Sequence, residues 1–170
     1  KDLNLSSLED INSLMVLSAL FGKVGTKDKD YMQLQEDISK ISGGINASNH
    51  FYVDKSGEVK GRISLSSKFL PDNTVETTNL MFDILQNTDL EDKKRITELM
   101  FQNFMGFQQS IVENGHRFAM LGAASLHNKL SYVQENMGGL SAIASFAPYI
   151  TQQDEMITNQ LTKVKDFYSN

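Results

Sequence analysis

The stretch from Leu14 to Phe21 constrains the fold of this 170-residue chain more than any other, because only Ser18 interrupts its apolar character. It predicts a helix that is apolar nearly all round and therefore buried, and that ends at Gly22 or Gly25. The stretch is far shorter than the roughly 20 apolar residues that a helix needs to cross a bilayer. We therefore expect a buried helix of a folded domain rather than a membrane span.

The spacing of the apolar residues changes from helical to alternating after Gly44. Apolar residues alternate over 45–53 and again over 59–69, and residues 54–57 between these runs have the composition of a turn. We therefore predict a β-hairpin with long arms. Helical spacing is found on both sides of the hairpin, over 31–41, 75–87, 96–111, 118–130 and 157–168.

Local signals indicate where the helices begin, bend and end. Thr26 or Asp28 is predicted to cap the second helix at its N-terminus. Gly115 is predicted to kink or end the long helix, and Gly138-Gly139 is predicted to break the helical pattern again.

The order of these elements predicts the fold class and the domain organisation. We expect an α+β fold in which a mixed or antiparallel sheet, holding the hairpin at 45–69, packs against several helices. No internal repeat or low-complexity linker divides the sequence, so we expect a single domain over 1–170, or an excerpt of one, with a C-terminal helix over 151–170. Because the chain begins at Lys1 rather than Met, we expect it to be a processed product or an excerpt of a longer polypeptide.

Composition and charge exclude several classes of function. Cysteine is absent, which excludes disulfides, thiolate zinc sites, iron–sulfur clusters and cysteine nucleophiles. Sixteen Lys and Arg against 21 Asp and Glu give a net charge of −5, which argues against a nucleic-acid partner. We find neither a membrane-spanning run nor a signal-peptide pattern, so we expect no membrane partner and a reducing compartment, such as an organelle matrix or the cytoplasm, rather than secretion.

No motif in the sequence predicts a catalytic or metal site. His50, His116 and His127 are not spaced three or four residues apart, so both H-E-x-x-H and H-x-x-E-H are absent. Residues 22–27 lack the spacing of a phosphate-binding loop, and residues 54–58 lack the glycine position of a calcium loop. The residues alone therefore indicate no catalytic residue, no metal ligand and no cofactor in this segment.

A series of segments nevertheless resembles a known family in order and spacing. The segments are Leu14–Thr26, Tyr31–Leu34, Gly43–Ser48, Asn87–Arg95, Gly115–Ala119 and Gly138–Leu140. Together they resemble the insulinase/pitrilysin, or inverzincin, superfamily of zinc metallopeptidases, and in particular its presequence-protease and falcilysin branch. The resemblance covers about residues 11 to 150, which is most of the chain.

The resemblance implies that this segment belongs to the non-catalytic half of such an enzyme. In the family, the catalytic helix carries H-x-x-E-H before a Gly-Thr pair, and a second helix and a Gly-Gly-x-Asn-Ala strand follow. Counted back from Gly25-Thr26, the matching positions are Val16, Ala19 and Leu20, whose side chains can neither bind zinc nor activate water. The resemblance therefore implies that zinc lies in the other half of the parent enzyme, and that the first strands of the sheet lie before Lys1, which leaves a sheet edge exposed.

The resemblance also implies partners and candidate binding residues. Enzymes of this type close around a short unfolded peptide, so the expected partners are a peptide substrate, through the full-length enzyme, and the catalytic half of the same chain. The catalytic half binds peptides at a sheet edge, so Asn46, Ala47 and Ser48 on the matching strand are candidate chamber-facing residues. Packing within the sheet is the alternative explanation for the sequence pattern of this strand. The acidic charge balance favours basic peptides such as targeting presequences.

Two other functions stay open at this point. A non-enzymatic binding or scaffold module could share the same fold without any parent enzyme. An unrelated helical partner-binding domain would predict no hairpin at 45–69.

Overall fold

The computed structural model describes residues 3–4, 7–147 and 154–169. In chain order the elements are β1 (Leu3–Asn4), α1 (Leu8–Leu20), α2 (Tyr31–Ile41), β2 (Ile45–Val53), β3 (Val59–Ser67), a 3₁₀ turn (Pro71–Asn73), α3 (Thr74–Asn87), α4 (Lys93–Ser125), α5 (Lys129–Gly138), α6 (Leu140–Phe146) and α7 (Asp154–Ser169). An antiparallel hairpin packed against helices confirms the predicted α+β class. None of the helices in these residues combines the length and apolarity that a membrane span requires.

The described strands form an antiparallel sheet in the order β1-β3-β2. The predicted hairpin is confirmed, with its register running from the Ile45–Ser67 pair to the Val53–Val59 pair. The hypothesis of an unrelated helical domain, which predicts no hairpin here, is therefore wrong. Among the described strands, β2 pairs on one side only, so its other edge is open.

The turn of the hairpin is held by the carboxylate of Asp54. Its Oδ1 atom accepts hydrogen bonds from the Ser56 hydroxyl at 2.6 Å, the Ser56 N–H at 2.8 Å and the Glu58 N–H at 3.0 Å. Gly57 follows with φ of +84°, in the left-handed region that favours glycine. The Ser56 hydroxyl, followed by the Glu58 N–H, lowers the pKa of Asp54 below its usual value because these donors stabilise the ionised form.

We expect Asp54→Asn to lower the free energy of unfolding at pH 7, and the difference from the wild type to shrink below about pH 4. A carboxyl group whose pKa is lowered in the folded state stabilises the fold where it is ionised, and this stabilisation is lost as the pH falls through the folded-state pKa. Urea unfolding at pH 7 and at pH 3 measures the effect. Asp72→Asn, at an exposed position in the 3₁₀ turn, is the control, and an equal pH dependence in both variants would contradict the role of Asp54.

Helix α1 lies at the centre of the fold, as its apolar sequence predicts. Ser7 caps its N-terminus, since the Ser7 hydroxyl accepts from the Asp10 N–H while the Asp10 carboxylate accepts from the Ser7 N–H. The helix ends at Leu20, and Gly22 follows with φ of +71°. Contacts with β2 on one side and with α4, α5 and α7 on the others enclose it.

The connection between α1 and α2 is held by backbone pairing rather than by the predicted cap. Thr26 forms isolated β-bridges with Lys29 and with Thr88, at the end of α3. Its buried Oγ1 atom has no hydrogen-bond partner among the described residues, so its side chain does not cap α2. Asp30 caps α2 instead, with its carboxylate accepting from the Gln33 N–H at 2.8 Å. The predicted caps Thr26 and Asp28 are therefore wrong, because a long-range pairing defines this loop.

The long helix α4 bends where the sequence predicts it. Its 33 residues continue through Asn114, whose φ of −126° and ψ of 28° depart from helical values, next to Gly115. The helix then runs on to Ser125, and its second half contacts α5. The Gly138-Gly139 break is also confirmed, because α5 ends at Gly138 and α6 begins at Leu140.

We expect Gly25→Ala to destabilise the fold by about 1–3 kcal/mol, because the added Cβ would overpack the loop. That Cβ would lie 2.4 Å from the backbone carbonyl oxygen of Lys29, and the Gly25 carbonyl already accepts from the Asp89 N–H at 2.9 Å. Gly106→Ala is the control, because its Cβ would point into open space within α4 and should stabilise by about 0.5–1 kcal/mol. Urea unfolding compares them, and a neutral Gly25→Ala variant would contradict the close packing of this loop.

Candidate functional site

The three positions of α1 that match the zinc-binding helix of the resembling family lie in or against the core. Val16 and Leu20 are both 0% exposed, and half-buried Ala19 packs against the same cluster of apolar side chains. None of the three carries an atom that could bind zinc, so these residues do not fit a zinc ion. Across the described residues, no group of three His, Cys, Asp or Glu side chains is placed to hold a metal ion.

Ser18, the polar residue within the apolar run, connects α1 to the inner face of the sheet. Its hydroxyl donates to the Met15 carbonyl at 2.9 Å and accepts from the Asn49 Nδ2 atom at 2.9 Å. The Asn49 side-chain oxygen is buried and has no hydrogen-bond partner among the described residues. The sequence pattern predicted Asn49 only as part of a strand, because a contact between α1 and β2 leaves no local signal.

The candidate residues on β2 divide between its two faces. Asn46 and Ser48 are exposed on the outer face, whereas half-buried Ala47 packs against the core. The Asp54 N–H bonds to the Glu58 carbonyl at 2.9 Å, and hydrogen-bonded pairs alternate along an antiparallel ladder. The even-numbered residues of β2 therefore bond to β3, and the backbone N–H and C=O of Ala47 point to the open edge.

A cleft of about 780 Å³ lies between β2, the second half of α4 and the C-terminal end of α5. We call it the α4 cleft. Its apolar lining comes from Phe51, Met120, Leu121 and Met137, and Met120 is 71% exposed. The sequence pattern did not predict this cleft, because its lining combines two consecutive helices with a strand that is distant along the chain.

The charged lining of the α4 cleft is basic. His116 and Arg117 line it from α4, both exposed, and none of the described lining residues is Asp or Glu. The Arg117 guanidinium makes no ion pair with the described carboxylates, and Glu113, one turn earlier on α4, contacts the Gln109 amide at 3.4 Å instead. The cleft therefore combines apolar surface with a cationic group that a ligand can reach.

The sequence model of the family described as peptidase M16 (subfamily C) associated matches residues 2–147. The chain belongs to this family. The expectation of an insulinase-type, presequence-protease-like relationship is confirmed.

Several curated proteins share this family segment. A protein from Clostridium perfringens named HypA is 29% identical over 159 residues, which cover 91% of this chain and 16% of that protein. The mitochondrial presequence protease of Yarrowia lipolytica is 24% identical over 144 residues, which cover 81% of this chain and 14% of the relative. Presequence protease 1 of Arabidopsis thaliana, named as chloroplastic/mitochondrial, is 27% identical over 120 residues, which cover 70% of this chain and 11% of that protein. The chain thus spans a sixth or less of the length of these relatives.

We expect Leu20→Ala to lower the free energy of unfolding by about 2–5 kcal/mol, because it removes a fully buried side chain from the centre of the core. Leu8→Ala, at the first and 45% exposed residue of the same helix, should cost about 0.5 kcal/mol or less. Urea unfolding of both variants provides the measurement. If the two losses were equal, Leu20 would not be packed in the core at the position that matches a zinc ligand in the resembling family.

Proposed function

We propose that this chain is a non-catalytic segment of a zinc-dependent metallopeptidase that degrades short unfolded peptides, and that it forms part of the wall of the proteolytic chamber. The observation that carries the proposal is the burial of Val16 and Leu20 in a member of a peptidase-associated family. Apolar core residues stand at the positions where the resembling catalytic helix holds zinc. The segment itself therefore performs no catalytic step.

The names of the relatives support the parent activity in this proposal. Proteins named presequence protease in Yarrowia lipolytica and Arabidopsis thaliana share the segment, which makes up 14% and 11% of their lengths. Most of each relative lies outside the match, so a part of the parent polypeptide other than this segment has room to supply zinc and the catalytic base. We propose that this catalytic half is the main partner, and that the compartment is an organelle matrix or the cytoplasm.

A chamber wall contributes to peptide hydrolysis by selecting and orienting the substrate. An enclosed space admits short or extended chains and rejects folded proteins. The open edge of β2 offers the outward N–H and C=O of Ala47 for pairing with an extended peptide, while Asn46 and Ser48 face solvent beside it. The net charge of −5 attracts basic peptides at long range, and more weakly at high salt.

Zinc content and peptide cleavage, measured on this chain and on the longer polypeptide that carries it, test the proposal. We expect no zinc and no cleavage from the 170-residue chain, and one zinc with cleavage of an unfolded peptide from the longer polypeptide. Stoichiometric zinc in the 170-residue chain would refute the proposal. A longer polypeptide with two ligand-free halves and no cleavage would favour the alternative, a binding or scaffold module with the same fold.

A substitution at the open edge tests the contribution of the wall. In the longer polypeptide, we expect Ala47→Pro to lower kcat/KM for an unfolded peptide by up to about tenfold, because it removes one outward N–H donor. The zinc content should stay unchanged. Ala47→Ser keeps the N–H and is the matched control, so equal losses in both variants would show that the edge does not bind the peptide.

A further inference from the structure

We propose that the α4 cleft binds the C-terminal carboxylate of an extended basic peptide, with the last apolar side chain of that peptide resting on the apolar lining. This inference rests on the proposed function, which brings peptides to this domain. It assigns a binding site away from Val16, Ala19 and Leu20, the positions that match the zinc-binding helix of the resembling family.

The shape and lining of the α4 cleft suit the end of a peptide. Its volume of about 780 Å³ lies within the range of small-ligand sites, roughly 300–1,000 Å³. Met120 and Met137 approach from two different helices, and Phe51 approaches from the sheet. Methionine side chains adapt to varied apolar groups, so the cleft can accept different C-terminal side chains.

Arg117 supplies the charge complementarity for a carboxylate. Its guanidinium presents several donors in a planar fork that matches the two oxygens of a carboxylate. It has no ion pair with the described carboxylates, and the nearby Glu113 contacts Gln109 instead. No Asp or Glu side chain lines the cleft among the described residues, so no carboxylate of the lining repels an incoming anion.

The net charge of the chain indicates which kind of peptide would supply that carboxylate. With a net charge of −5, the domain repels peptides rich in Asp and Glu and attracts basic ones. A basic peptide without acidic side chains carries its negative charge at the C-terminus. The acidic chain therefore attracts the basic side chains of such a peptide at long range. Its C-terminal carboxylate is the group that can pair with Arg117 in the cleft.

The position of the cleft beside β2 explains how a peptide would reach it. Phe51 belongs to the edge strand and its side chain packs inward, towards the cluster that includes Ile11 and Val133. A peptide extended along the open edge of β2 would point alternate side chains to this same face of the sheet. Its last such side chain can therefore reach the apolar lining while its terminal carboxylate meets Arg117.

Fluorescence anisotropy on the 170-residue chain tests the proposal without zinc or a catalytic half. The probe is a short basic peptide that ends in leucine, labelled at its N-terminus and prepared with either a free carboxylate or a C-terminal amide. We expect the amide to bind about tenfold more weakly, as loss of one charge-assisted hydrogen bond implies. Arg117→Gln should weaken the free acid by about the same factor and leave the amide unchanged.

Lys94→Gln is the matched control, because it removes one positive charge from the exposed surface of the same helix, away from the cleft. It should leave the preference for the free acid intact, and circular dichroism should report the wild-type helix content for both variants. The proposal would be overturned if the free acid and the amide bound with equal affinity. It would also be overturned if Arg117→Gln weakened the amide as much as the free acid, or if Lys94→Gln weakened the free acid as much as Arg117→Gln does. Those results would leave the zinc and cleavage test of the proposed function unaffected.

Discussion

Burial of α1 over residues 11–20 is the constraint on which the rest of the structure depends. Burying one large aliphatic side chain stabilises a fold by about 1.5–3 kcal/mol, and Leu14, Val16 and Leu20 are all 0% exposed. A zinc-binding helix needs the opposite, since a catalytic metal requires an open position for water and substrate. In this chain α1 serves as the centre of the core, and this packing agrees with the proposed non-catalytic role.

Those parts of the fold that depend on local periodicity could be predicted from the sequence. Alternation over 45–53 predicted β2, and the apolar run predicted α1, because both patterns report directly which side chains are buried. The cap of α2 could not be predicted this way. Thr26 has the right residue type for a cap, but its backbone pairs with Thr88, and such a pairing between distant segments leaves no mark on the local pattern.

The candidate site likewise has one part that the local sequence pattern predicts and one part that it does not. The strand that carries Asn46, Ala47 and Ser48 was predictable, and its alternation already implies that Ala47 faces away from the other two. The α4 cleft was not predictable, because it exists only when α4 and α5 pack beside β2. Arg117 gives no signal in the sequence, since a single arginine on a helix is ordinarily a solvated surface residue.

The proposed roles as a chamber wall and as a binding surface are both compatible with a packed, mostly apolar α1, because they use groups on the surface of the domain. The proposed peptide binding at the edge of β2 would use backbone groups that every residue except proline carries, and Ala47 can offer them while its side chain packs inward. The α4 cleft adds one cation, Arg117, on the exposed side of α4, where it costs the core nothing. The buried side of α1 can therefore be mostly apolar while the surface keeps groups that would hold a peptide under the proposed function.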